Sequence, residues 1–115
     1  MEDFEDYPEL TRAALPQAVL AVLSHGENHG YAIAEALRQH GFARIKGGTL
    51  YPLLKRLEEQ KLTQHLWTHE HAGPPRKLFK LTAEGEEELL RAEAAWSGMT
   101  QALSRIRTTT NQEKS

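Results

Sequence analysis

The chain has 115 residues, 39% hydrophobic and 26% charged, with a formal net charge of −2, an ordinary composition for one small folded domain and not two. It has no cysteine, which excludes disulfides, thiolate metal sites and cysteine nucleophiles, and no apolar run approaches the roughly 20 residues of a membrane span. The acidic start "MEDFEDYPEL" lacks the apolar core of a secretory signal, so a cytoplasmic protein without a membrane partner is expected.

Charge is unevenly spread. Glu2, Asp3, Glu5, Asp6 and Glu9 open the chain with no base among them, and residues 1–14 read as an acidic N-terminal extension. Residues 44–81 carry Arg44, Lys46, Lys55, Arg56, Lys61, Arg76, Lys77 and Lys80 against Glu58, Glu59 and Glu70. A basic centre within an acidic chain is what a local polyanion site needs.

A first helix is expected from Leu15, where Leu15, Val19, Val22 and Leu23 recur at helical spacing and Pro16 suits the first turn. "SHGENHG" (24–30) breaks the pattern. A second helix follows from about His29, with Tyr31, Ile33, Ala34 and Leu37 as buried candidates and Gly41 as a left-handed cap. The third, "KGGTLYPLLKRLEEQKL" (46–62), puts Leu50, Leu53, Leu54 and Leu57 on one face. Pro52 requires a start near Gly48 or Thr49, with Thr49 a candidate N-cap.

Leu62–His69 and Arg76–Thr82 alternate like strands about the turn signal "AGPP", giving a hairpin with a basic loop end, Arg76 and Lys77. Thr82 and Gly85 introduce a last helix over 83–107. Leu89, Ala92, Trp96, Met99, Leu103 and Ile106 follow 3-4 spacing on it, an a/d seam that suits a homodimer. Residues 108–115 read as a flexible tail.

This order specifies a mainly α fold with a small β-hairpin: a winged helix-turn-helix over 15–82, then a long C-terminal dimerisation helix. In such a module the third helix enters the DNA major groove by its N-terminal part and the hairpin serves as the wing. The expected DNA-binding residues are Lys46, Thr49, Tyr51, Pro52, Lys55, Arg56, Arg76 and Lys77, and the expected dimerisation residues are Leu89, Trp96, Met99, Leu103 and Ile106. His65, His69 and His71 cluster in the hairpin but show no third or fourth convergent ligand, so no metal and no cofactor are expected. Ser24 and His25 are adjacent, which does not make a nucleophile–base pair. No phosphate loop or dinucleotide fingerprint exists, and no catalytic residue is expected.

"HGYAIAEAL", "GGTLYPLLKRLEEQKL" and "GPPRKLFKLTAEGEEEL" resemble the PadR family of bacterial transcriptional regulators, over about Leu15 to Ala102. The most specific piece is Gly48, Thr49, Leu50, Tyr51, Pro52, Leu54, Arg56, Leu57 and Glu58. The resemblance implies an N-terminal winged helix-turn-helix, one C-terminal helix that forms a homodimer, a palindromic double-stranded operator and repression. Two features depart from the family pattern: "KLFKLT" stands where paired tyrosines are frequent, and "QKL" where a glycine is common. "RAEAAWSGM" resembles the dimer helix of multidrug-sensing repressors of the LmrR type. That resemblance implies that Trp96 stacks on a small hydrophobic or aromatic effector. The competing class is a winged-helix protein-interaction module without DNA binding, which would lack basic character on the third helix and wing.

Overall fold

The computed structural model describes residues 3–69 and 72–113. After a 3-10 turn at Phe4–Asp6, the elements are α1 (Pro8–Leu23), β1 (Asn28–His29), α2 (Gly30–Gln39), α3 (Gly47–Glu59), β2 (Thr63–Thr68), β3 (Arg76–Leu81) and α4 (Ala83–Glu113). The three strands form an antiparallel sheet in the order β1-β3-β2. His65 pairs with Phe79 and Trp67 with Lys77. The first three helices and the hairpin thus stand in winged-helix order, with the long helix last.

One core joins these elements. Leu15, Val19, Leu20 and Leu23 of α1 meet Ile33, Ala34 and Leu37 of α2, the four leucines of α3, and Phe79 and Leu81 of the hairpin. Each such leucine, isoleucine, valine or phenylalanine contributes about 1.5–3 kcal/mol on burial, which holds local features that disfavour their own elements. The first is Pro16. It lies ninth in α1 and not in a first turn, because α1 begins at Pro8, with Pro at N1 and Glu9 in its first turn. An interior proline costs about 3 kcal/mol, which the burial of its neighbours Leu15, Val19 and Leu20 exceeds. Residues 8–14 are therefore part of the domain and not an extension.

The acidic start is also built in. Glu5 is 8% exposed, and its carboxylate oxygens accept the backbone N–H of Ala43 at 3.1 Å and of Arg44 at 3.0 Å. The Arg44 guanidinium lies 3.2 Å from Asp6, 3.8 Å from Asp3 and 4.0 Å from Glu5. The hydrogen bond that Arg44 donates to Asp6, with the charges of Asp6, Asp3 and Glu5, raises the Arg44 pKa against the opposing effect of desolvation.

Other elements end as their residues dictate. Gly41 has φ +105° and lets Phe42 N–H reach back to Leu37 C=O at 2.9 Å. Lys61, in the "QKL" segment, has φ +65°, the left-handed conformation that a glycine adopts without strain. Thr82 Oγ1 accepts the Gly85 N–H at 3.0 Å and donates to Lys61 C=O at 2.7 Å, which caps α4 and ties it to the end of α3. Gly85 is required by a close approach: a Cβ there would fall 2.0 Å from Leu62 O.

Starting from that tie, α4 runs 31 residues, about 46 Å at 1.5 Å per residue, and gives the chain a 70 × 29 × 21 Å outline. It continues past residue 107, so 108–113 are helical and not a tail. No helix among the described residues is long and apolar enough to cross a membrane.

Candidate nucleic-acid interface

The face of α3 away from its leucines meets the wing across an open groove of about 840 Å³. Tyr51, Lys55, Glu58 and Glu59 line it from α3, Arg76 and Lys77 from β3, and His29 and Tyr31 from around the start of α2. Four of the eight expected DNA-binding residues therefore converge. Pro52 and Arg56 are exposed on α3 outside the groove lining, and Lys46 is the N-cap residue, without a side-chain cap bond. Thr49 does not cap the helix. It opens onto a smaller cleft of about 210 Å³ with Glu5, Arg44 and Ile45. Because α3 starts at Gly47, Pro52 is its sixth residue and not in its first turn. Its missing N–H leaves the Gly48 carbonyl without a helical donor, at a site open to solvent.

The groove is shaped by residues whose role was not legible in periodicity. Tyr31, expected in the core, is 58% exposed: its neighbours on α2 fill the core, and its ring instead stacks on His29 at 6.0 Å and 7°. The Arg76 guanidinium sits 5.3 Å from the Tyr31 ring centroid, a cation–π contact that orients the cation toward the groove. His29 Nδ1 lies 3.0 Å from the Lys77 carbonyl oxygen, and the Lys77 ammonium lies 5.6 Å from the Trp67 ring centroid. The two-residue strand β1, which local pattern did not reveal, pairs Asn28 with Phe79 and His29 with Leu78 and so pins the wing to α2. Gly30 gives Tyr51 its place, since a Cβ there would meet Tyr51 Cε1 at 2.6 Å. His65 is turned onto Glu58, Nδ1 to Oε1 2.6 Å, and His69 is exposed; His71 lies outside the described residues.

Family membership is settled by sequence. Residues 19–91 match the model of the transcriptional regulator PadR-like family. The chain belongs to that family. Transcriptional regulator Rv3488 of Mycobacterium tuberculosis is 34% identical over 83 residues, 70% of this chain and 74% of that one. The crystal structure of a PadR family regulator from Eggerthella lenta superposes with a TM-score of 0.77 at 35% identity, covering 89% of this chain and 88% of that one. PadR of Bacillus subtilis, solved in complex with operator DNA, gives a TM-score of 0.61 at 28% identity over 67% of this chain and 45% of that one. This PadR-like chain is thus a transcriptional regulator with the winged-helix fold of its relatives.

The remaining expected residues lie on α4. Leu89 is 8% exposed and belongs to the chain's own core, so it is not available to a partner; the reason is the short Thr82–Gly85 entry, which lays the first turns of α4 against the domain. Met99, Leu103 and Ile106, on the same stripe, are 46%, 62% and 62% exposed, because α4 has by then passed beyond the domain. Trp96 stands at the transition. It is half-buried and lines a cleft of about 380 Å³ with Phe4, Leu10, Ala14, Gln17, Ala18, Ala21 and Phe42. That lining holds no charged side chain.

Proposed function

We propose that this regulator is a homodimeric repressor that reads a two-fold operator with α3 and the wing and is released by a small planar aromatic effector at Trp96. The observation that carries the reading is the convergence of Tyr51, Lys55, Arg76 and Lys77 on one groove. Of these, Tyr51, with exposed Pro52 and Thr49, offers base-edge contact, while Lys55, Arg56, Arg76, Lys77 and Lys46 supply phosphate contacts. The operator complex of the Bacillus subtilis relative supports the same use of the fold. A dimer through the bare stripe Met99, Leu103 and Ile106 covers apolar surface that a monomer would leave in water. It sets half-sites about 10 base pairs, or a multiple, apart. Stacking on Trp96 contributes about 0.5–1.5 kcal/mol beyond burial, and the uncharged lining suits a neutral ring system better than a cation.

The test is recovery of genomic DNA bound by the full chain, followed by salt titration of the recovered site with the unaltered protein and with Lys77→Ala. Expected is a two-fold sequence, with log affinity falling less steeply against log salt in the variant, by a slope difference of about 1. No DNA retained at low salt favours the protein-interaction module instead, and an unchanged slope removes Lys77 from the phosphate contacts.

A further inference from the structure

The Trp96 cleft and the approach to α3 share a wall. Phe4 lines the cleft, and its ring lies 4.8 Å from that of Phe42 at 61°. Phe4 also covers Gly41, where a Cβ would meet Phe4 Cε2 at 3.1 Å. The next residue, Glu5, holds the N–H groups of Ala43 and Arg44. Arg44 returns the grip: one guanidinium nitrogen donates to the Glu5 carbonyl at 2.9 Å and another to Asp6 at 3.2 Å. So Phe4–Asp6 contacts every residue from 41 to 44, the loop between α2 and α3. Two residues further on, the Lys46 carbonyl accepts the Thr49 and Leu50 N–H groups and starts α3. Thr49 and Glu5 even line one cleft.

The turn is itself one stiff piece. Asp6 N–H donates to Asp3 C=O at 3.0 Å, Tyr7 N–H to Phe4 C=O at 2.9 Å, and Glu5 N–H to the Asp3 carboxylate at 2.8 Å. Thr11 Oγ1 adds a bond to Phe4 C=O at 2.9 Å from α1. Phe4 and Glu5 are adjacent residues of that one turn, so a shift of the turn that carries the Phe4 ring off the cleft wall also moves Glu5. A withdrawn Glu5 would leave two loop N–H groups without their charged acceptor.

We infer that the Phe4–Asp6 turn is a positioning element coupling the Trp96 cleft to the reading helix: Glu5 sets the loop before α3, and a planar aromatic ligand that pushes Phe4 and its turn off the cleft wall withdraws Glu5 and loosens that loop. The ligand half rests on the effector reading given above; the positioning half does not. By linkage, operator binding tightens the same turn and weakens the ligand by the same factor.

Amide hydrogen exchange on the full chain reads the positioning half with no ligand present. Phe4→Ala and Glu5→Ala should each accelerate exchange at Ala43 and Arg44 by about tenfold or more, with core amides of α1 and α3 unchanged. Glu5→Gln, which keeps one carbonyl oxygen, should restore part of the protection, and Leu90→Ala, exposed elsewhere on α4, should change neither amide. Unaltered exchange at residues 43 and 44 in Phe4→Ala, with the core amides protected, overturns the coupling. The ligand half is read as operator affinity with and without Nile red, a neutral planar dye, in a Trp67→Phe background. The dye should weaken operator binding about fivefold or more, and Glu5→Ala should bring that ratio near one. A ratio unchanged in Glu5→Ala overturns the inference, since a merely structural role would lower affinity but leave the ratio. If the dye leaves the fluorescence of Trp96 unchanged in the Trp67→Phe chain, the effector reading fails and exchange alone decides the role of Glu5.

Discussion

Gly30→Ala is expected to separate DNA binding from stability. The added Cβ would lie 2.6 Å from Tyr51 Cε1, 3.0 Å from its hydroxyl oxygen and 3.1 Å from Cζ, and ordinary contact begins at 3.4 Å. The ring must therefore retreat by about 0.8 Å, and its other flank already touches the site of a Gly47 Cβ at 3.4 Å. Tyr51 is 52% exposed, so it swings into the groove with little loss of packing. Alanine also restricts the unfolded chain, worth about 0.4–1 kcal/mol in favour of folding. The net stability change should stay within about 1 kcal/mol, or roughly 4–8 °C in melting temperature for a domain of this size. Binding behaves differently, because a shift of this size breaks a hydrogen bond made near 2.9 Å. A lost base contact costs about 1–3 kcal/mol, and a two-fold site loses it twice, so operator affinity should fall at least about tenfold. Anisotropy with labelled operator and thermal unfolding, run on the same preparation, measure both. Affinity unchanged within about threefold would remove Tyr51 from the reading surface, and a large drop in melting temperature would show that backbone, not Tyr51, absorbs the clash.

Gly85→Ala should do the reverse: its Cβ would stand 2.0 Å from Leu62 O and 2.7 Å from Leu81 Cδ1, so α4 must move bodily at a loss of about 2–3 kcal/mol, and an unchanged urea midpoint refutes the close approach. Leu103→Glu, at a side chain 62% exposed in the single chain, should leave helix content intact and shift sedimentation from dimer to monomer; a stable dimer in the variant would place the interface elsewhere. Lys61→Gly should stabilise by up to about 1 kcal/mol, since φ +65° strains a lysine and not a glycine, and a lowered urea midpoint would contradict that strain.

What could be read in advance was what a single element decides. The four leucines of α3, Gly41 at the end of α2, and Thr82 with Gly85 at the start of α4 all stand as their spacing required, because each depends on neighbours within about four residues. Errors arose where a distant partner decides. Pro16 looked like a helix start, but α1 already begins at Pro8 and packing along its length holds the proline inside. Tyr31 had core spacing, yet Arg76 and His29 claim its ring at the surface. β1 exists only through its pairing with β3, 50 residues away in sequence, and Leu89 belongs to the seam by spacing but to the core by where α4 starts.

The charge pattern shows the same limit in a form that bears on function. Read along the chain, an acidic start and a basic centre are separate features, one a tail and the other a polyanion site. In the fold they meet. Arg44, counted among the basic residues, is paired with Asp6, Asp3 and Glu5, whereas Lys55, Arg76 and Lys77 face an open groove that Glu58 and Glu59 also line. The cations on the reading face are thus fewer than the sequence suggests, and the acids do not merely repel DNA. Buried Glu5 spends its charge on two backbone N–H groups of the loop that aims α3. A carboxylate so placed fixes direction and leaves attraction to the lysines and arginines across the groove. On the proposed reading, the acidic start orients α3 and the basic centre attracts the phosphate backbone, so a perturbation at residues 4–6 should weaken operator binding while the groove's own cations stay in place.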